Sequence, residues 1–276
     1  MNCGPVRRFC KRAVPLLPNP GSIQLLSDPL FVAAALLAVC LLGVSKGGFF
    51  GLGVMGLPLL SLVVHPLQAA AILLPTAIAQ DALTIWNYRR DWSAWNLKVM
   101  IPSMVVGMAV AWLLAASLSA AHIRLMVGLI AALFVVRQWT SGLFARFTPH
   151  PNTATGIVFG AIGGFTTLLA NAGGPAWQIH LLPQRLDKLT YVGTVTLLFA
   201  VSNLFKIPGY GTLGLFTWDN LVAGLALVPA ALLANYAGIW GVRRTSPEMF
   251  FRIAYVLMFL IAVELIRSSV MELWWP

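Results

Sequence analysis

Apolar runs, several of them of membrane-spanning length, follow one another along nearly the whole chain, and that succession constrains the fold more than any motif. The runs are Pro29 to Ser45, Val54 to Val64, Leu67 to Trp86, Leu97 to Leu118, Ile123 to Trp139, Ala154 to Ala170, Ala176 to Leu182, Leu189 to Phe205, Leu221 to Trp240 and Phe250 to Ile266. A helix needs about 20 mainly apolar residues to cross a bilayer. Lipid permits only helices or closed barrels, because every backbone polar group must be satisfied internally, and these runs lack a barrel's alternation. The sequence therefore predicts an all-α, polytopic transmembrane helical bundle. Charged residues make up 9% of the chain and hydrophobic ones 59%. A soluble domain carries about 25% charged residues, so this chain has too little polar surface to cover itself in water.

The formal net charge is +10. The basic residues sit mostly between apolar runs, where they set topology and meet anionic headgroups. No basic stretch alternates with aromatics in a solvated segment, so membrane lipid is an expected partner and nucleic acid is not. Trp92, Trp95, Trp218, Trp274 and Trp275 flank apolar runs, as in an interfacial aromatic belt. Cys3, Cys10 and Cys40 form no CxxC pair and make neither a disulfide framework nor a zinc site. Cys40, within an apolar run, reads as a small core residue. Residues 1–27 are basic and Pro-rich without a signal-peptide core, and read as an N-terminal tail near the headgroups.

An internal repeat divides the remainder into a first transmembrane repeat over 28–140, a linker over 141–153, a second repeat over 154–270 and a short C-terminal tail over 271–276. Gly47-Gly48-Phe49 matches Gly163-Gly164-Phe165, Pro58 matches Pro175, Asp81 matches Asn203, Tyr88 matches Tyr210, and Pro102 matches Pro229. Each half is read as a glycine-broken pair of short helices followed by three full spans. If the broken pair is a hairpin, the two halves are inverted. Arg89, Arg90, Lys98, Arg137, Arg146, Arg185, Lys188, Arg243, Arg244 and Arg252 then share one side. If the pair makes one net crossing, the loop charges divide almost evenly. The loops favour inversion, and the basic tail, which falls on the opposite side, opposes it.

The strongest local signal is Ser45-Lys46-Gly47-Gly48-Phe49-Phe50-Gly51-Leu52-Gly53. Glycine at this density interrupts a helix. It frees backbone N–H groups at membrane depth, where irregular backbone is tolerated only against protein or a cavity. A helix restarting near Val54 would aim its electropositive end into the break. Lys46 adds a full charge, which costs at least about 2.5 kcal/mol at the centre of a bilayer. An anion or a carboxylate must offset that. The plainer structural reading is that the glycines permit close helix packing and that Lys46 snorkels. At the corresponding place in the second half stands Asn171-Ala172-Gly173-Gly174-Pro175, with a capping residue, exposed N–H groups and a first-turn proline. Two opposed half-helix ends near the midplane make a transporter site.

Asp81 is the acidic residue deep in an apolar run of the first half. It is expected either to pair with Lys46, to titrate and couple transport to protons, or to act as a structural hydrogen-bonding group. Its counterpart Asn203 is a substrate-site candidate that cannot titrate. Lys206, one turn beyond, is a weaker candidate that also reads as snorkelling beside Pro208. Gln178, His180, Gln184, Arg185, Asp187 and Lys188 read first as a solvated loop, and second as an entrance where Arg185 and Lys188 attract anions. Glu264 and Arg267 read as a local ion pair. His65, His122, His150 and His180 are scattered, there is no GxSxG, and no Walker motif is present, so neither an enzyme nor a metal or other cofactor is expected.

These segments resemble the sulfite exporter TauE/SafE family, also called TSUP permeases. The matching elements are GVSKGGFFGLGVMGLPLL (Gly43 to Leu60), ILLPTAIAQDALTIWNYRRDW (Ile72 to Trp92), GGFTTLLANAGGPAWQIHLLPQRLDK (Gly163 to Lys188) and VGTVTLLFAVSNLFKIPGY (Val192 to Tyr210). The resemblance implies a multi-pass permease of the bacterial inner membrane, built from two repeats, that moves sulfite, sulfoacetate or related sulfonates. It implies substrate contacts from Lys46, Gly47, Gly48 and Phe49 and from Asn171, Ala172, Gly173, Gly174 and Pro175. It places Asp81 at a polar position of the next span. Phe50 departs from the small residue common among relatives and narrows the site or faces a partner helix. The expected function is secondary transport of a small anion, with self-association left open. The alternatives are a membrane scaffold or enzyme without transport, and a passive anion channel.

Overall fold

A computed structural model describes residues 26–50, 53, 56–60, 63–64, 66–114, 152–170, 173–212 and 216–274, with scattered positions between 121 and 139. Every element among the described residues is helical. In chain order these are α1 Pro29–Lys46, α2 Gly56–Leu60, α3 Pro66–Asn87, α4 Ala94–Leu114, α5 Thr153–Ala170, α6 Gly173–Leu181 with a 3₁₀ turn at Leu182–Gln184, α7 Lys188–Thr212, α8 Trp218–Ala226, α9 Val228–Arg244 and α10 Pro247–Trp274. By length and apolarity α1, α3, α4 and α7 can each cross a membrane, and the bent pair α8–α9 adds a fifth crossing if taken as one span. Large apolar side chains such as Leu30, Leu113 and Leu233, and the belt candidates Trp92, Trp95, Trp218 and Trp274, are exposed. That surface suits lipid. Cys40 lies exposed on α1 and is not the core residue expected of it.

Local chemistry sets the helix ends. Asp28 caps α1 by accepting from the Leu30 N–H at 3.0 Å, and Pro29 occupies the first turn, where its missing N–H costs nothing. Asn152 accepts from the Thr155 N–H at 2.7 Å and opens α5, while most of the expected linker before it lies outside the described residues. Thr217 caps α8 by accepting from the Asn220 N–H at 3.2 Å. The run from Leu221 to Trp240, expected as one span, is broken at Leu227 and bends by 44°. Pro229 supplies the reason. It cannot donate to the turn before it, so the backbone restarts with proline in a first turn. The run ending at Phe205 instead continues through Pro208 to Thr212, because membrane helices tolerate a proline whose freed carbonyl finds other partners.

Glycine fixes the two closest crossings. Helix α1 lies on α9, where a β-carbon on Gly43 would come within 2.7 Å of the Asn235 nitrogen and one on Gly47 within 2.6 Å of the Asn235 carbonyl oxygen. Helix α5 lies on α4, where β-carbons on Gly160 and Gly164 would overlap Ser103 and the Met104 carbonyl, and one on Gly107 would overlap the Ala161 carbonyl. Small residues four apart let helices approach to backbone contact, the usual solution where lipid is as apolar as the side chains. The two crossings are reciprocal. The first long helix before the linker meets the penultimate helix after it, and the first helix after the linker meets α4 before it.

Helix α3 packs against the α1–α9 pair and is tied to it by buried amides and hydroxyls. Gln80 donates to the carbonyls of Val39 on α1, at 3.3 Å, and Ala231 on α9, at 3.2 Å. Thr84 and Asn235 are hydrogen-bonded to each other, and Asn235 also donates to the Gly43 carbonyl at 3.3 Å. Every such bond replaces water that the bilayer does not offer. Helix α7 packs against α3 and α4 and carries the second half of the site.

Candidate functional site

Lys46 ends α1, the C-terminal turn that favours a cation. Its side chain turns inward. Nζ donates to the Ala77 carbonyl at 3.2 Å and to Asp81 Oδ1, both on α3. The other carboxylate oxygen, Oδ2, accepts from Asn203 Nδ2 on α7 at 2.7 Å. The ring of Phe199 stands 5.8 Å from the ammonium, within cation–π range. Lys206, one turn beyond Asn203, is 3% exposed and lies close enough to feel both Lys46 and Asp81. Lys46 is therefore not a snorkelling side chain, and neither is Lys206.

Helical spacing explains the convergence. Ala77, Asp81 and Thr84 fall at i, i+4 and i+7 on one face of α3, and Phe199, Asn203 and Lys206 at i, i+4 and i+7 on one face of α7. Asp81 sits six residues before the end of α3, about 9 Å inside it at 1.5 Å per residue. The charged side chains buried among the described residues are these three, Lys46, Asp81 and Lys206. In their ordinary charge states they sum to one positive charge. A buried carboxylate with an ammonium and an amide on its two oxygens is well satisfied, and removing one partner would leave an uncompensated charge. The excess positive charge has the sign that attracts an anion.

The glycines of the first break do different work. Gly47 and Gly48 are wedged against α9, and Gly48 has φ +138°, a conformation that only glycine adopts comfortably. Its β-carbon would also meet Val242 at 2.6 Å. Tyr88 donates to the Gly47 carbonyl at 3.1 Å and so satisfies backbone freed by the break. Phe49 lies against Gly241 of α9. Phe50 packs inward with its ring centre 6.0 Å from each of Phe199 and Tyr191, and so backs the aromatic ring nearest the ammonium. Helix α2 starts at Gly56 and has five residues, while Val54, where a restart was expected, lies outside the described residues. A helix of this length concentrates little dipole at its end.

At the second break, Asn171 and Ala172 lie outside the described residues. Helix α6 begins directly after them with Gly173, Gly174 and Pro175, all buried. A β-carbon on Gly173 would come within 2.6 Å of the Gly163 carbonyl oxygen, so this glycine serves packing against α5. Gly174 differs. Its β-carbon would meet Phe199 at 3.4 Å and Gln178 Nε2 at 3.6 Å, ordinary contact distances. The start of α6 thus borders the ring over Lys46.

Several polar residues read as a solvated loop are not one. Gln178 and His180 are buried on α6. His180 is joined to Thr155 at 3.0 Å and to Asn96 at 3.1 Å, and Gln184 donates to Asn96 at 3.0 Å, which ties α4, α5 and α6 together. Lys188 does not serve an entrance. Its Nζ donates to the carbonyls of Val242, Arg243 and Thr245 and closes the C-terminal end of α9, where a cation meets orphan carbonyls. Glu264 and Arg267 form the expected ion pair, doubly bonded at 2.8 Å on α10. Lys206 and Gln178 are what the sequence undervalued. The available signal was periodicity: continuing the α7 stripe past Asn203 reaches Lys206, and continuing α6 from Gly174 reaches Gln178.

The model of one protein family, described as Sulfite exporter TauE/SafE, matches residues 35–265. That span takes in α1 through most of α10 and every residue of the charged cluster. No curated protein and no solved structure matches the chain.

Proposed function

The chain belongs to the sulfite exporter TauE/SafE family, and from that premise we propose that it is a secondary transporter of small, monovalent, sulfur-containing oxyanions such as hydrogen sulfite or organosulfonates. The observation that carries this reading is the buried cluster of Lys46, Asp81, Asn203 and Lys206 between α1, α3 and α7. Burying charge in lipid is costly, and a net charge of one sign is costlier than a neutral set. A bound monoanion makes the sum zero. Binding is then favoured by the same desolvation that makes the empty site expensive.

The two-repeat reading gives this site a means of moving. The reciprocal crossings of α1 on α9 and α5 on α4 support two equivalent halves, each lending its first helix to the other. The site draws Lys46 and Asp81 from one half and Asn203 and Lys206 from the other. Rocking of one half on the other would open it to each side in turn. Asp81, whose carboxylate bonds both Lys46 and Asn203, is the residue through which any coupling to protons would run. We place the protein in a bacterial inner membrane with the basic loops inside. Arg243 donates to the Asn87 carbonyl at 3.3 Å and Lys188 bonds the end of α9, which supports a shared end for those loops.

Reconstituted vesicles test the proposal. Purified protein should carry labelled sulfite or methanesulfonate across the vesicle membrane at saturable rates, with and without a pH gradient. Lys46→Gln and Lys46→Ala should abolish that flux while the protein still inserts. A scaffold would carry nothing, a channel would pass ions far faster than any carrier, and full flux in both variants would remove Lys46 from the mechanism.

A further inference from the structure

Beyond the charged cluster lies a group of buried polar atoms that the protein leaves without partners. Both amide atoms of Gln178 on α6 are buried and unbonded, and so are the hydroxyl of Thr196 on α7 and that of Thr167 on α5. Buried polar atoms are almost always hydrogen-bonded, and each unmet one is destabilising. Threonine on a helix normally bonds back to the preceding turn, as Thr84, Thr166 and Thr194 do here. Thr167 and Thr196 do not, although nothing but conformation prevents it.

Gln178 approaches the charged cluster by way of Gly174 and the Phe199 ring, and Thr196 shares the α7 stripe of that cluster. Thr196 precedes Phe199, Asn203 and Lys206 on the same stripe of α7, at i, i+3, i+7 and i+10. Gln178 follows Gly174 by one turn, and a β-carbon on Gly174 would meet both its amide nitrogen, at 3.6 Å, and the Phe199 ring, at 3.4 Å; Lys46, Phe50 and Trp177 stand around the same ring. Thr167 borders Gly173 at the start of α6, where a β-carbon would come within 2.8 Å of it. Gly174, in the first turn of α6, thus has an unpartnered, fully buried amide beside it. Helix start and amide together mark a ligand position, which neither would do alone.

We propose that Gln178 and Thr196, with the start of α6, form the neutral half of the substrate site, and that they select an oxyanion bearing an O–H group. The inference rests on the transporter reading above. The ammonium pair supplies charge, and Gln178 supplies geometry. Its Nε2 donates to one substrate oxygen. Its Oε1 accepts only, and therefore needs a hydrogen from the ligand. Hydrogen sulfite offers both, whereas methanesulfonate has oxygens but no hydrogen to give. A site that bonds a substrate O–H holds the analogue lacking it more weakly, because the buried acceptor is then left unmet, so organosulfonates would be the poorer substrates.

The test is ligand-dependent thermal melting of the detergent-purified full chain at mildly acidic pH, with hydrogen sulfite and methanesulfonate as probes. Wild type should bind hydrogen sulfite more tightly than methanesulfonate. Gln178→Leu and Thr196→Val should melt at or above the wild-type temperature without ligand, since each removes an unsatisfied polar group. Gln178→Leu should need at least about tenfold more hydrogen sulfite for the same shift and should lose the preference over methanesulfonate, as expected when both bonds of the amide to the ligand are lost. Gln178→Leu with wild-type affinity and preference overturns the proposal, and so does a Gln178→Leu that melts far below wild type, which would show the amide already partnered. Lys46→Gln separates the levels. If it has lost both probes while Gln178→Leu binds normally, only the neutral half is wrong. If both variants bind normally, or wild type shifts with neither probe, the transporter reading falls as well.

Discussion

At the scale of single residues, the site depends on a few charges in an apolar setting, and their energetics can be separated. Lys46→Ala should destabilise the folded protein by about 3–5 kcal/mol, because it removes the ammonium bonded to the buried Asp81 carboxylate and leaves Oδ1 without that partner. Replacing both partners by apolar residues of similar volume, Lys46→Met with Asp81→Leu, should recover most of that loss in a thermal or denaturant melt and still bind no anion. Recovery of binding along with stability would show that the pair is structural. Lys46 and Asp81 were legible in the sequence because charges are rare in apolar runs and costly there. Asn203 was legible only through its alignment with Asp81. Lys206 was undervalued because Pro208 suggested an interface close by, yet the helix runs through that proline and holds the ammonium inside. Gln178 was hidden by its neighbours, since a polar residue beside Gln184, Arg185 and Asp187 looks solvated until the helix that buries it is seen.

At the scale of elements, the glycines divide into those that let helices touch and one that leaves room. Gly107→Ala and Gly164→Ala would each put a methyl group into facing backbone, and each should cost about 1–3 kcal/mol, read as a lowered melting temperature. Gly173→Ala belongs with them. Gly174→Ala should melt like wild type, because its methyl group would meet only Phe199 and Gln178 at contact distance, and any fall in anion affinity there reports on the site itself. A sharply lowered melting temperature in Gly174→Ala would show that this position too is a packing contact. The breaks themselves could be read from glycine density, whereas their division of labour could not, since it depends on which helix lies opposite. The bend at Leu227 escaped for a related reason. A lone proline in an apolar run is compatible with an unbroken membrane helix, as Pro75 and Pro102 demonstrate, and only the neighbouring contacts decide.

For the whole molecule, the reciprocal crossings and the shared end of the basic loops make a topological prediction. Ser246 is exposed just beyond α9, beside Arg243, Arg244 and the Lys188 ammonium. A cysteine placed there, in a chain whose Cys3, Cys10 and Cys40 are replaced, should react with a membrane-impermeant maleimide in inside-out vesicles and not in intact cells. Labelling from the outside would reverse the orientation. The apolar runs forecast the helical bundle, since lipid leaves so few alternatives. Which helices would cross each other was beyond them, because apolar faces in lipid carry little information about partners.

The account turns on the charge that the buried cluster presents to a guest. Lys46, Asp81 and Lys206 sum to one positive charge, which on the proposed reading favours a monovalent anion. Asp81→Asn keeps the shape of the side chain, exchanges one of its two acceptor oxygens for a donor NH2, and raises the sum to two. The most direct test is therefore the ratio of sulfate to methanesulfonate affinity, measured by titration calorimetry in wild type and Asp81→Asn. The ratio should rise at least about tenfold in the variant, a change of about 1.4 kcal/mol in favour of the divalent ion. A ratio that stays the same in a folded Asp81→Asn protein would contradict the assignment of this cluster as the anion site.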